Sequence, residues 1–186
     1  MALAGRRCRG GAVVKFELLT DQDDAPAGAA VRFADCEQLG AANLRGTGWA
    51  RTGLRSRGAT RQDRGTDHRV EVNVTGIAGF LLAKLFAAHA RRAPKDWYDI
   101  AVVLLHNEEG GPVAAGARVG ALGGRPTGAA HSALLDLGGN FATPATQGPV
   151  AYAGQMVLNH PELEPGPLRA DAVLAVEAFI EAVRAE

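Results

Sequence analysis

Between residues 69 and 107 the spacing of apolar positions changes once, and that change divides the chain. Val70, Val72 and Val74 alternate with Glu71 and Asn73, the two-residue period of a half-buried strand. From Ile77 the period lengthens: Ile77, Phe80, Leu81, Leu85 and Ala88 fall along one stripe of a helix. Pro94 suits the first turn of a second helix whose apolar positions include Ile100 and Val103. Upstream, residues 12–20 (AVVKFELLT) read as a strand closed by Asp21-Gln22-Asp23-Asp24 and Pro26, and residues 31–39 as a short strand or helix. Residues 45–69 hold seven arginines among Gly, Thr and Ser with little periodicity, which predicts a mobile loop. After the turn at Glu108-Glu109-Gly110-Gly111-Pro112 the pattern is a series of helical segments. Residues 113–122 are weak because Gly116 and Gly120 interrupt them, whereas 127–137 and 150–159 are bounded by Gly or Pro. Residues 167–185 are clearest, with Pro167 in the first turn and Leu168, Val173, Val176, Phe179, Ile180 and Val183 forming a core-facing stripe.

This order of elements predicts an α+β chain, with strands and an arginine-rich loop over residues 1–75 and a helical domain over 76–186. Composition adds limits. At 186 residues and 47% hydrophobic, the chain can bury a core of ordinary size. Its 20 Lys and Arg balance 20 Asp and Glu, so the net field does not single out nucleic acid. Cys8 and Cys36 lack CxxC or zinc spacing, which fits a reducing compartment, and the five histidines show no metal-binding pair. The N-terminal arginines precede no apolar signal stretch, and no apolar run is long enough to span a bilayer. The cytoplasm is therefore the expected compartment, with no membrane partner.

Candidate chemistry changes the picture at Lys84. It sits inside the helical stripe, four residues after Phe80 and seven after Ile77, with Arg91 two turns further along the same face. An unpaired ammonium in such a stripe is costly. Asp96 and Asp99 follow within Lys95-Asp96-Trp97-Tyr98-Asp99, three apart and sharing a face. One helix thus brings cations and the next brings anions to an apolar seam. The expectation is that Lys84 meets at least one of the two carboxylates beside a cleft. Each feature has a plain structural reading as well: Asp96 as an N-cap with Asp99 in the first turn, and Lys84 snorkelling to the surface. The close order of Lys84, Arg91, Lys95, Asp96 and Asp99 favours function. The arginine segment similarly reads either as a phosphate-contacting RNA surface or as a loop balanced by Asp63 and Asp67.

A strand, a Phe-Leu-Leu-Ala-Lys-Leu helix with Arg91 beyond it, and Lys-Asp-Trp-Tyr-Asp-Ile before an apolar run together resemble the nucleotidyl transferase AbiEii/AbiGii toxin family over residues 69–107. In that family a helical lysine is followed by an Arg…Lys-Asp-x-x-Asp-[Leu/Ile] signature. The resemblance implies a nucleotidyltransferase of a toxin–antitoxin or phage-defence system. It would transfer a nucleotidyl group from a nucleoside triphosphate to an RNA acceptor such as tRNA, using Mg²⁺, and would face a cognate antitoxin protein. The resemblance assigns triphosphate binding to Lys84, phosphate support to Arg91 and Lys95, and orientation or proton transfer to Asp96 or Asp99. By position it makes Glu17 a metal carboxylate; the alternative is an acid on the solvent face of an edge strand. The family is similar to polymerase-beta-like enzymes, whose metal site opens with a Gly-[Ser/Thr] turn and an Asp-x-Asp strand. Residues 1–11 hold no such block, and Asp21-Gln22-Asp23 lies in a turn without it. The expected fold is then a truncated nucleotidyltransferase-like mixed-sheet remnant followed by a helical C-terminal half. The rival to an enzyme is a catalytically incomplete remnant acting as a helical binding module.

Overall fold

The computed structural model describes residues 17–63, 65–123 and 128–185, and the chain divides into two units, Met1–Gly48 and Trp49–Glu186. In the first, β1 (Leu19–Thr20), β2 (Ala30–Phe33) and β3 (Cys36–Asn43) form a sheet in the order β1-β3-β2. β1 runs parallel to β3, with Leu19 opposite Ala42; β2 runs antiparallel to it, with Val31 opposite Ala41 and a register shift after Arg32. Asn43 is fully buried and fastens the loop after β1. Its Nδ2 donates to the carbonyls of Gln22 at 3.0 Å and Ala25 at 2.8 Å, and its Oδ1 accepts from the Gln22 N–H at 2.8 Å. Asp21 Oδ2 accepts from the N–H groups of Gly46 and Gly48, and Arg45 donates to Asp23 at 2.8 Å. Asp21 and Asp23 are thus loop anchors of the kind short acidic side chains supply in turns. Of the strand expected at 12–20, residues 12–16 lie outside the described residues, and only Leu19–Thr20 is extended among the rest. The broken pattern at 31–39 resolves into parts of two strands, β2 and β3.

A 3₁₀ turn at Thr47–Arg51 spans the boundary in the chain, and the second unit continues with the hairpin of β4 (Arg55–Asp63) and β5 (Thr66–Val74). Their pairing is continuous from Arg55 opposite Val74 to Asp63 opposite Thr66, and Gly65 takes φ 83° in the turn, where a side chain would be disfavoured. Two expectations are corrected here. Much of the arginine segment is strand rather than loop, because its order comes from the backbone ladder to β5, which its own periodicity does not report. The valines keep their alternation, but Val70, Val72 and Val74 are 49%, 45% and 39% exposed instead of half-buried. All nine residues of β5 are exposed. The period identified a strand correctly and its burial wrongly.

Six helices follow: α1 (Ile77–Arg91), α2 (Pro94–His106), α3 (Gly111–Gly123), α4 (Gly128–Asn140), α5 (Gln147–Asn159) and α6 (Pro165–Ala185). The α+β class with a helical C-terminal half therefore stands. Leu81, Leu85 and Ala88 of α1 pack with Trp97, Ile100 and Leu104 of α2, Leu137 of α4, Tyr152 of α5, and Val176, Phe179 and Val183 of α6. Each large apolar side chain so buried contributes about 1.5–3 kcal/mol. Two glycines let backbones meet. A Cβ at Gly79 would stand 2.5 Å from the Trp49 carbonyl oxygen, and one at Gly116 would stand 2.5 Å from that of Phe179, so α3 lies directly on α6. Among the described residues no helix is long and apolar enough to cross a membrane.

Candidate functional site

The turn between α1 and α2 sets the site. Arg92 closes α1 in the left-handed conformation (φ 52°), its N–H donating to the Ala88 carbonyl, and Pro94 opens α2 two residues later. So short a connection returns α2 along α1 and brings the two charged faces together. Lys84 Nζ lies 2.6 Å from Asp99 Oδ2 and 3.3 Å from Asp96 Oδ1. Arg91 Nη2 donates to the same Asp96 oxygen at 2.9 Å, and Lys95 Nζ to the same Asp99 oxygen at 2.7 Å. Lys84 thus meets both carboxylates, where the spacing predicted at least one, and Arg91 and Lys95 join them. Asp96 is not the N-cap; that position is Ala93, and Asp96 sits in the first helical turn with its N–H donating to the Ala93 carbonyl.

Burial grades across the cluster. The Asp96 side chain is 3% exposed, Asp99 18%, Lys84 22% and Lys95 77%. Lys84 occupies the rim of its stripe, its Nζ 5.9 Å from the centre of the Phe80 ring, so its stem is covered while its head stays among charges. Burial alone would raise the Asp99 carboxyl. The hydrogen bonds from Lys84 and Lys95 and the charges of both lysines outweigh it and hold the group below its ordinary range. Asp96 Oδ2 is buried without a hydrogen-bond partner, as is the indole N–H of the adjacent Trp97.

Beside the cluster, Lys95, Tyr98 and Asp99 of α2 face Val150, Ala151, Gly154, Gln155 and Asn159 across a groove of about 600 Å³ that begins at Pro94. The expected cleft is thus lined by Asp99 and Lys95, with Lys84 behind them. Glu17 belongs to the first unit, exposed, two residues before β1. Among the described residues no group of three His, Cys, Asp or Glu is arranged to hold a metal. The chemistry of the α1–α2 cluster points the same way, since three cations surround two carboxylates whose paired oxygens already accept from them. That donor set, already paired with three cations, does not fit a divalent cation.

Several long-range polar contacts escaped sequence reading, among them those of Asp136 and of His106. Asp136 of α4 accepts from Arg92 at 2.8 Å and contacts His89 Nδ1 at 3.2 Å, tying the α1–α2 turn to α4. His106 Nε2 lies 3.0 Å from the hydroxyl of buried Tyr152, whose ring stacks on Tyr98. Burial, then the charge of Asp171 and the neighbouring Tyr98, push the Tyr152 hydroxyl up. Each contact joins residues more than forty positions apart, and no local pattern announces them. Comparison with family models, with curated proteins and with solved structures gives no match.

Proposed function

We propose that this chain is a nucleotidyltransferase-like protein of a toxin–antitoxin or phage-defence system, and that the α1–α2 cluster is its triphosphate-handling element. The observation that carries the reading is the convergence of Lys84, Arg91 and Lys95 on Asp96 and Asp99 at the edge of a groove. It adds to the resemblance over residues 69–107 without depending on it. Lys84 and Lys95 supply compact ammonium donors to phosphate oxygens, and Arg91 supports them. Asp99 acts as an orienting anion in preference to a proton acceptor, because a carboxyl held low is a weak base near neutral pH. Asp96, nearly buried, positions Lys84 and Arg91. The family chemistry, nucleotidyl transfer to an RNA acceptor such as tRNA, relies on positioning and charge neutralisation. Its Mg²⁺ would need carboxylates other than Asp96 and Asp99; the metal role of Glu17 rests on the resemblance alone. A cognate antitoxin protein and a cytoplasmic location belong to the same reading.

A second reading is a non-catalytic helical binding module. It is favoured by the pairing itself, since Lys84, Arg91 and Lys95 each already have a carboxylate within 3.3 Å. Titration calorimetry with ATP, CTP, GTP and UTP separates the two. At least one triphosphate should bind the wild-type chain, with affinity reduced about tenfold or more in Lys84→Met, the scale of a lost charge-assisted contact. Failure of all four to bind the wild-type chain refutes the nucleotide reading.

A further inference from the structure

The groove beside the cluster has the makings of a second subsite, with chemistry different from that of the charges. At about 600 Å³ it has the volume of a small-molecule site, and its walls change character along their length. Lys95 and Asp99 lie on the side of the ion cluster. Tyr98 presents a partly exposed ring held in place by stacking on buried Tyr152, their centroids 6.3 Å apart and the rings inclined by 26°. Opposite stand the small or short side chains of Val150, Ala151 and Gly154, which leave room for a flat group. Gln155 and Asn159 add two amides that bond each other at 3.4 Å through Gln155 Nε2 and Asn159 Oδ1. Whichever way the two amides are turned, that bond leaves a carbonyl acceptor on one residue and N–H donors on the other.

An anchored aromatic face, a small-residue wall and adjacent donor and acceptor groups match a heterocyclic base with polar edges, and the neighbouring cations match what such a base is joined to in a nucleotide. We infer that the α2–α5 groove is a nucleobase subsite, in which the base lies against Tyr98 and its edge meets Gln155 and Asn159. This rests on the reading of the α1–α2 cluster as a phosphate site, and it adds that recognition extends past the phosphates to the base.

Gly154 makes the test clean. It lies exposed within α5 on the groove wall, and a Cβ added there meets nothing within 4 Å, so Gly154→Leu projects a helix-favouring side chain into the groove from an uncrowded backbone position. Affinities for inorganic tripolyphosphate and for the four nucleoside triphosphates are measured on the wild-type chain and on Gly154→Leu, with circular dichroism as the fold control. The wild-type chain should prefer at least one nucleoside triphosphate over tripolyphosphate by about tenfold, the scale of one stacked base. Gly154→Leu should bind tripolyphosphate as the wild type does and lose the preference. Equal affinity for tripolyphosphate and all four nucleotides in the wild-type chain overturns the base subsite while leaving the phosphate site standing, and this comparison needs no variant to fold. A preference that survives in folded Gly154→Leu places the base elsewhere and also overturns it. Binding of neither ligand class by the wild-type chain removes the phosphate reading, and the subsite with it.

Discussion

Replacing Lys84 by Met removes the ammonium that bridges α1 and α2 while keeping the length of the stem. If the lysine were the sole partner of a buried carboxylate, its loss would cost about 3–5 kcal/mol. A solvent-exposed pair would cost about 0–1 kcal/mol. The cluster lies between these limits, because Asp96 keeps Arg91 at 2.9 Å and Asp99 keeps Lys95 at 2.7 Å. We expect a loss of about 1–2 kcal/mol, read in urea denaturation, with a melting temperature lower by about 3–8 °C. The pH dependence carries a second signature. The Asp99 carboxyl is lowered on folding from an ordinary 3.8, so its stabilisation is present above that value and disappears as pH falls through the lower folded value. With Lys84 gone one cause of the lowering goes too, and the variant should show a shallower loss of stability on acidification. The double change Lys84→Met with Arg91→Met strips both donors from Asp96, whose side chain is 3% exposed. Its cost should exceed the sum of the single changes by about 1 kcal/mol or more. A single-variant loss above about 4 kcal/mol, or strict additivity in the double variant, refutes the shared-partner account.

Incubated with labelled nucleoside triphosphates, Mg²⁺ and total tRNA, the 186-residue chain should label RNA weakly or not at all, because it carries no Gly-[Ser/Thr] turn followed by an Asp-x-Asp strand and a two-metal site needs such carboxylates; strong labelling would overturn the account of an incomplete metal site. Trypsin should cut first at Arg55, Arg57 or Arg69 of the exposed hairpin, and prior cleavage within α1 would show the hairpin to be the more stable element. Gly116→Ala should destabilise by about 2 kcal/mol or more in denaturant titration, since its Cβ would stand 2.5 Å from a backbone oxygen of α6; an unchanged midpoint would mean that the two helices separate easily.

Legibility followed how local each cause is. The bounds of α1 match the expected stripe, and α2 opens on Pro94, because apolar periodicity and proline act within a few residues. The ion cluster was legible for a related reason: a two-residue connection leaves Lys84 few anions to reach other than Asp96 and Asp99. α6 begins at Pro165, earlier than Pro167 and the apolar stripe suggested. The hairpin shows where local reasoning stops. The order of β4 belongs to its pairing with β5, and the exposure of Val70, Val72 and Val74 depends on what packs over them, which alternation along a strand does not encode. The ties of Asp136 to Arg92 and of His106 to Tyr152 span α1 to α4 and α2 to α5, distances over which single-residue patterns carry no information.

The two lysines that share one oxygen of Asp99 differ in how freely they can vary. Lys95 reaches it from one turn away on the same helix, mostly in solvent, and an arginine or a glutamine there would leave the helix pair joined. Lys84 arrives from the other helix and fits between two carboxylates at 2.6 and 3.3 Å as a compact point charge. A planar guanidinium is wider and directs its donors in a fixed fork, so arginine at 84 would have to push α1 and α2 apart to keep both contacts. Drift in this chain's lineage should therefore show a permissive position at 95 and a restrictive one at 84. The exchange of lysine for arginine, neutral over most of a protein surface, would here change the spacing of two helices.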